Sequence, residues 1–275
     1  MSGFGRMISE NNYEKKINKN QGYIIPRLKI FQSFKEAKDE IEENRSLIFN
    51  EIENKTLNDY FNYNRTIVIA EPGYGKTRLL KKFCSNIKSF GKKSFFIDLK
   101  KIPGNINIED SIYLQIDELE KDKNFKIINS ENIILCFDGL DEIKQENFSE
   151  VIDKLKSFNL KYPKVFLVLS CRWHFFKKYQ EIFADTDYKY LYIYPFSIDN
   201  VKEYLTQASF SEDKINEIFN SLHSKYRDLI IQTPRYLELL VNYIKEKEIK
   251  NIKDITRAYL FVYLNVYPLS RAYDK

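Results

Sequence analysis

The sequence is poor in the residues that build metal centres and disulfide scaffolds. It contains three cysteines, Cys84, Cys136 and Cys171, without CxxC spacing, and two histidines, His174 and His223, that lie far apart without neighbouring ligands. This usage argues against a Cys/His metal site and against a disulfide framework. We therefore expect reduced, mostly buried cysteines, as in the cytoplasm.

Long apolar runs are also lacking. The first residues contain no signal-peptide-like hydrophobic segment, and no run approaches the length of a bilayer span, so we expect a cytoplasmic protein without membrane contact. The net charge is only +5 over 275 residues, and the lysines are spread along the chain. Nucleic acid is therefore not indicated as a partner. Hydrophobic residues make up 43% of the chain, enough for a substantial core.

Glycine is scarce, which makes its placement informative. Only 8 of the 275 residues are glycine, yet Gly73 and Gly75 both lie in the octet AEPGYGKT, residues 70–77. The octet follows the apolar run 66–69 and precedes a segment with helical periodicity. A strand, a glycine-bearing loop, Lys-Thr and a helix form the arrangement that holds a nucleoside triphosphate.

The octet predicts how a triphosphate would be held. Backbone N–H groups and the start of the following helix attract phosphate, and glycine lets the backbone approach and adopt positive φ. Lys76 is expected to reach the β- and γ-phosphates, and the Thr77 hydroxyl to bind Mg²⁺. The alternative is an ordinary strand–turn–helix with a surface lysine. The residues predicted to contact the nucleotide are Glu71, Pro72, Gly73, Tyr74, Gly75, Lys76, Thr77 and Arg78.

A second motif, IILCFDGLDE, supplies carboxylates. Residues 133–137 are apolar throughout and indicate a buried central strand that ends at Asp138. An acidic residue at that end can hold Mg²⁺ directly or through water. Either Asp141 or Glu142 is then expected to orient or deprotonate the attacking water, unless both are only helix N-terminal charges.

A third apolar strand, residues 165–169, leads into Ser170-Cys171-Arg172-Trp173. Arg172 at the end of this strand is placed to sense or stabilise the γ-phosphate. The alternative is an arginine that only forms a salt bridge.

Taken together, AEPGYGKT and IILCFDGLDE resemble the NACHT group of signal-transducing P-loop ATPases, the STAND class. LVLSCRW takes the place of that family's sensor-one strand and keeps Arg172, with Ser170, Cys171 and Trp173 where the family has Thr, Ser and Pro. Residues 191–205 are similar to the short strand and helix that begin the family's helical subdomain.

IIQTPRYLELL, residues 230–240, is similar to the family's proline motif. The resemblance implies that Pro234 lies against the adenine, whereas a proline that only starts a helix is the alternative. It further implies ATP or ADP with Mg²⁺, a closed ADP form, and an open ATP form that self-associates or binds a partner protein. The implied activity is weak ATP hydrolysis used as a switch, in bacterial antiviral defence.

We expect an α/β fold, with a P-loop NTPase parallel sheet flanked by helices and followed by a small all-helical subdomain. The expected divisions are a flexible N-terminal tail (1–22), a helical lead-in (23–61), the P-loop NTPase core (62–195) and a helical subdomain (196–275). Ser197, Ser211 and Thr233 are expected helix caps. The chain is expected to be a fragment, a truncated product or a minimal module.

The sequence leaves other functions open. One is an AAA+-like motor or loader acting on nucleic acid or protein, which needs an arginine finger, with Arg227 and Arg235 as candidates. Another is a non-catalytic module that keeps nucleotide for stability, but the set Lys76, Thr77, Asp138 and Glu142 argues against it. A small-molecule kinase is less well supported because no lid-like arginine cluster is visible.

Overall fold

The computed structural model describes residues 23–43, 64–88, 93–102, 107–115, 133–179, 187–221, 224–249, 253–259 and 262. The expected tail (1–22), the remainder of the expected lead-in (44–61), His223 and residues 263–275 lie outside the described residues.

Within the described segments, six strands form one sheet in the order β1-β6-β2-β5-β4-β3. The neighbouring pairs from β6 to β3 are parallel, and β1 pairs antiparallel with β6. The carboxyl ends of the parallel strands therefore meet along one edge of the sheet, where ligands bind in open α/β sheets. The strands are β1 Leu28–Phe31, β2 Arg65–Ala70, β3 Lys93–Asp98, β4 Ile133–Asp138, β5 Phe166–Arg172 and β6 Lys189–Ile193.

Helices cover both faces of the sheet and then continue as a separate bundle. Short 3₁₀ turns follow β3 and β4, at Leu99–Lys101 and Leu140–Glu142. The helices are α1 Phe34–Glu43, α2 Lys76–Lys88, α3 Ile108–Gln115, α4 Phe148–Lys161, α5 Trp173–Lys178, α6 Ile198–Gln207, α7 Glu212–Asn220, α8 Ser224–Ile231 and α9 Pro234–Glu246, and residues 253–259 are also helical.

The sheet is buried on both faces. Ile67 and Ile69 of β2 pack into one apolar cluster, while Val68 and Ala70 point to the other, which contains the buried face of α2. Parallel strands flanked by helices have near-continuous apolar sequences for this reason. The predicted α/β sheet is confirmed, and the three cysteines are buried, as expected.

The lead-in is partly a strand, which corrects the helical assignment of residues 23–61. Leu28–Phe31 pair antiparallel with β6, with Leu28 opposite Ile193 and Phe31 opposite Tyr190. Only Phe34–Glu43 is helical within the described part of this range. The strand forms because β6 would otherwise be an exposed edge, and β1 covers its backbone groups.

The helical subdomain, α6–α9 with residues 253–259, has its own apolar core. Ile24, from the segment before β1, is buried in that core, whereas Tyr23 packs on the α2 side of the sheet. Ser197 and Ser211 cap α6 and α7 with their side chains, as predicted. In the described segments, no helix combines the length and apolar character needed to cross a bilayer.

Thr233 corrects a smaller expectation. It occupies the N-cap position of α9, and Pro234 is in the first turn, but the Thr233 side chain makes no capping hydrogen bond. Its hydroxyl instead donates to the Leu229 carbonyl at 2.8 Å. The hydroxyl is therefore used to fix the α8–α9 connection.

Candidate functional site

The loop between β2 and α2 has the backbone shape that the sequence predicts. Gly73 and Gly75 have φ values of 84° and 93°, in the left-handed region. Residues other than glycine rarely adopt this conformation. The Tyr74 N–H donates to the Glu71 carbonyl at 3.3 Å, which closes a turn around Pro72 and Gly73.

The start of α2 is electrostatically prepared for an anion. The first turn of this 13-residue helix contains no acidic residue, although acidic residues are favoured at that end. Lys76 and Arg78 instead add positive charge to the positive end of the helix dipole. This arrangement is unfavourable by itself and becomes favourable when phosphate binds.

Lys76 lies inside the anion cradle, which is formed by Gly73, Gly75 and the start of α2. Its Nζ lies 3.5 Å from the Ala70 carbonyl oxygen at the end of β2. Burial lowers the pKa of the Lys76 ammonium, while the nearby Asp141 carboxylate acts in the opposite direction. A polyphosphate would therefore meet a partly desolvated cation, which interacts more strongly than one in water.

Asp138 connects three elements at the carboxyl edge of the sheet. The Thr77 hydroxyl donates to Asp138 Oδ2 at 2.6 Å, and the Ser170 hydroxyl donates to Asp138 Oδ1 at 2.5 Å. Ser170 Oγ also accepts a 2.9 Å hydrogen bond from the Gly139 N–H. The start of α2, β4 and β5 are thus joined through one carboxylate.

This oxygen set fits Mg²⁺. Mg²⁺ prefers hard oxygen ligands and is commonly held by one or two protein groups, with waters and nucleotide phosphates completing the octahedron. The Thr77 hydroxyl and the Asp138 carboxylate supply such a pair. Among the described residues, no cluster of three or more His, Cys, Asp or Glu side chains forms a protein-only metal site.

Asp141 and Arg172 form a close pair next to this centre. Arg172 Nε lies 2.7 Å from Asp141 Oδ2, and the Arg172 backbone N–H donates to Asp141 Oδ1 at 3.0 Å. The Asp141 side chain is only 6% exposed. The structure thus places both predicted residues next to Asp138 and pairs them with each other.

Glu142 is arranged differently. The residue as a whole is exposed, and its side chain runs along Gly139, whose φ is 82°. A Cβ at Gly139 would lie 3.4 Å from Glu142 Cβ, Cγ and Cδ. Partial burial of the carboxyl group, followed by the negative charge of Asp141, raises the pKa of Glu142. A carboxylate with a raised pKa is a better proton acceptor.

The helical subdomain contacts the loop directly. The Arg235 N–H donates to the Gly73 carbonyl at 3.2 Å, and a Cβ at Gly73 would lie 3.0 Å from Thr233 Cγ2. Arg78 Nη1 lies 4.0 Å from Glu238 Oε1 on α9. Pro234 therefore lies beside the loop, between two residues that touch it.

The family follows from the sequence match over this region. The family model of the NACHT domain matches residues 64–226, which include the loop, Asp138, Asp141, Glu142 and Arg172. The chain belongs to the NACHT family. NACHT domains are P-loop NTPases, so this chain is a nucleotide-binding P-loop NTPase.

The chain is also weakly similar to solved structures of DnaA and RuvB. AMPPCP-bound DnaA from Aquifex aeolicus is 15% identical, with a TM-score of 0.43 over 84% of this chain and 66% of that one. The Thermotoga maritima RuvB branch migration motor is 11% identical, with a TM-score of 0.40 over 85% and 71%. Domain III of Thermotoga maritima DnaA is 14% identical, with a TM-score of 0.44 over 74% and 85%. No curated protein sequence matches this NACHT chain.

Sequence reasoning missed several contacts of the NACHT site. In the sequence Ser170 stands out only as a replacement within a motif, although this residue is 0% exposed in an apolar strand and its hydroxyl must find partners. No local signal in the sequence links Thr233 to Gly73 in the loop or Glu238 to Arg78 in α2. Of the arginine-finger candidates, Arg235 lies beside the loop, whereas Arg227 is held by Asp228 and the Phe219 carbonyl within the subdomain.

Proposed function

We propose that this NACHT protein is an ATP/ADP-dependent signal-transduction switch that hydrolyses ATP slowly with Mg²⁺. The observation that carries the proposal is the direct contact between the phosphate-binding loop and the helical subdomain. Gly73 accepts a 3.2 Å hydrogen bond from Arg235 at the start of α9. A change in the loop on nucleotide exchange therefore acts on the subdomain without intermediate elements.

The proposed roles of the side chains follow from their positions. Lys76 and the N–H groups of the loop bind the β- and γ-phosphates, and Thr77 and Asp138 hold the metal. Mg²⁺, when bound, neutralises charge that develops on the phosphates. Glu142 orients the attacking water and takes its proton, because Asp141 is already engaged by Arg172 at 2.7 Å.

Arg172 is proposed to read the γ-phosphate. Arg172 lies at the end of β5, and its guanidinium pairs with Asp141. The strand next to β5 is β2, which leads into the loop. A γ-phosphate would offer Arg172 a second anionic partner. The exchange of partners would differ between the ATP and ADP states, which is what a switch requires.

Residues 62–195 and 196–275 are proposed as the two units that move against each other. The family resemblance supports a closed ADP form and an ATP form that associates with itself or with a partner protein. It also supports a role in bacterial antiviral defence and a cytoplasmic location. In that setting, loss of nucleotide binding is expected to abolish protection of a host challenged with phage.

Identifying the nucleotide that co-purifies with the protein tests the switch. The protein is purified without added nucleotide and denatured, and the released nucleotide is identified and quantified by chromatography. Tightly held ADP at close to one per chain is expected. An empty site with fast turnover that DNA or RNA stimulates would overturn the switch and support an AAA+-like motor.

A further inference from the structure

Two 3₁₀ turns lie side by side at the carboxyl edge of the sheet. Asp98 at the end of β3 is paired in register with Asp138 at the end of β4. The turns that follow, Leu99–Lys101 and Leu140–Glu142, contact each other with Cα atoms within 8 Å. A side chain on the first turn can therefore act on Glu142, although 42 positions separate residues 100 and 142.

The first turn is fixed by polar contacts on both sides. The Asp98 carboxylate accepts from the Lys100 N–H at 3.1 Å and lies 3.4 Å from Lys101 Nζ. The Gln115 side chain from α3 makes two hydrogen bonds to the Asp98 backbone, at 2.9 Å to its N–H and 3.1 Å to its carbonyl. Leu99 is buried beneath the turn. The turn is consequently a defined platform for Lys100.

The charges that act on Glu142 come from three elements. Asp141 and Asp138 disfavour its charged form, whereas Lys100 and Arg172 favour it. Arg172 is already paired with Asp141 at 2.7 Å, so its effect on Glu142 is largely balanced. Lys100, on the adjoining turn, is the larger of the two named positive charges that act on this carboxylate.

We propose that Lys100 is a positioning residue that holds the Glu142 carboxylate in place from the adjoining turn. The inference rests on the proposed function, in which Glu142 accepts the proton of the attacking water. Lys100 lies on the turn that follows β3, the strand next to β4, outside both motifs that define the site. Lys101, the adjacent lysine on the same turn, pairs with Asp98 instead and offers a matched control.

The pH dependence of a single turnover tests the role of Lys100. ATP is bound to the protein, Mg²⁺ is added, and the cleavage rate is followed across pH for wild type, Lys100→Met, Lys100→Arg and Lys101→Met. Loss of the Lys100 charge raises the pKa of Glu142, so the acidic limb of the Lys100→Met profile is expected to move up by roughly half a pH unit. Lys100→Arg and Lys101→Met should overlay wild type, because both keep the charge beside Glu142.

Salt gives a second readout that a purely structural role would not move. The shift in Lys100→Met relative to wild type should shrink in about 1 M salt, since screening weakens the interaction of exposed charges. An acidic limb in Lys100→Met that coincides with that of wild type would overturn the proposal. So would a loss of ATP affinity with an unshifted limb, which would mean that Lys100 binds phosphate.

Glu142→Gln separates this inference from the function on which it rests. If Glu142→Gln cleaves ATP at the wild-type rate, the proposed role of Glu142 is wrong, and the Lys100 proposal falls with it. If Glu142→Gln is inactive while Lys100→Met leaves the profile unchanged, only the Lys100 proposal is wrong.

Discussion

The Thr77 hydroxyl donates a 2.6 Å hydrogen bond to Asp138 Oδ2, joining the first turn of α2 to the end of β4. The two residues are 61 positions apart in the chain. Their contact shows that the two sequence motifs form one site. A cation held there would lie at the base of the anion cradle formed by Gly73, Gly75 and the start of α2.

Lys76→Ala is expected to abolish measurable nucleotide binding. The variant removes a partly desolvated cation from the start of α2. Loss of one partner of a buried charge pair of this kind lowers the binding affinity by several orders of magnitude. Titration with a fluorescent ATP analogue measures the effect. Lys81→Ala, on the same helix with its Nζ over the Phe96 ring, should bind as wild type. Unchanged affinity in Lys76→Ala would contradict the assignment of the loop.

Nucleotide binding is expected to take up protons at alkaline pH. Burial lowers the pKa of Lys76 in the empty protein, and a bound polyphosphate favours the charged form and raises that pKa again. Affinity should therefore fall as pH rises from the lowered pKa toward the pKa in the complex, and be insensitive to Lys76 below both.

Calorimetry in buffers of different ionisation enthalpy measures this proton uptake. Lys76→Arg should bind without the uptake, because arginine stays charged. If the uptake persists in Lys76→Arg, another group is responsible.

Glu142→Gln is expected to retain ATP and slow its cleavage by about 10²–10⁴-fold, the usual contribution of a general base. Asp141→Asn should reduce the rate less. In the wild type the Arg172 backbone N–H lies 3.0 Å from Asp141 Oδ1, and the amide oxygen of asparagine can still accept this hydrogen bond. Single-turnover cleavage of bound ATP compares the two. The reverse ranking would show that Asp141 activates the water.

Ser170→Ala is expected to lower both thermal stability and Mg²⁺ affinity. It removes a donor to Asp138 and leaves the Gly139 N–H without its 2.9 Å acceptor. A buried unsatisfied donor costs about 1–3 kcal/mol. Thermal unfolding with and without Mg²⁺ and nucleotide measures both effects. Ser170→Thr keeps the hydroxyl and should restore metal binding; equal losses in the two variants would point to packing instead.

Gly73→Ala is expected to destabilise the contact between the loop and the helical subdomain. Alanine at either loop glycine is destabilised by roughly 1–2 kcal/mol, because the backbone there is left-handed. Only at Gly73 does the new Cβ also meet Thr233 Cγ2, at 3.0 Å, whereas Gly75 has open space around it. Gly73→Ala should therefore unfold at a lower temperature than Gly75→Ala.

Thr233→Ser isolates the clash, because it removes Cγ2 and keeps the hydroxyl that donates to Leu229. Combined with Gly73→Ala, it should recover part of the lost stability. No recovery would show that backbone strain alone explains the effect.

The central sheet and the two motifs could be predicted because their signals are local. Lys76 and Thr77 follow a glycine loop, and Asp138 ends an apolar run, so each position is fixed by its immediate neighbours. Leu28–Phe31 gave no such signal. It is a strand only because β6 offers an open edge, and that edge is a property of the assembled sheet.

The division of labour at the site also depends on tertiary structure. Asp141 and Glu142 are adjacent acidic residues, and from the sequence either is an equal candidate for activating the attacking water. The fold separates them, because Arg172, 31 residues away, engages Asp141. The Gly73–Thr233 contact likewise depends on how α9 docks, which composition and periodicity do not encode.

The segment before β1 sets a limit on how far the subdomain can travel. Ile24 is anchored in the core of the helical bundle, and Leu28 is bonded into the sheet. Four residues of fully extended backbone reach about 14 Å at most. A segment this short would allow the bundle to rotate about the sheet edge. It would not allow the bundle to separate fully from the sheet unless Ile24 first left the core of the bundle.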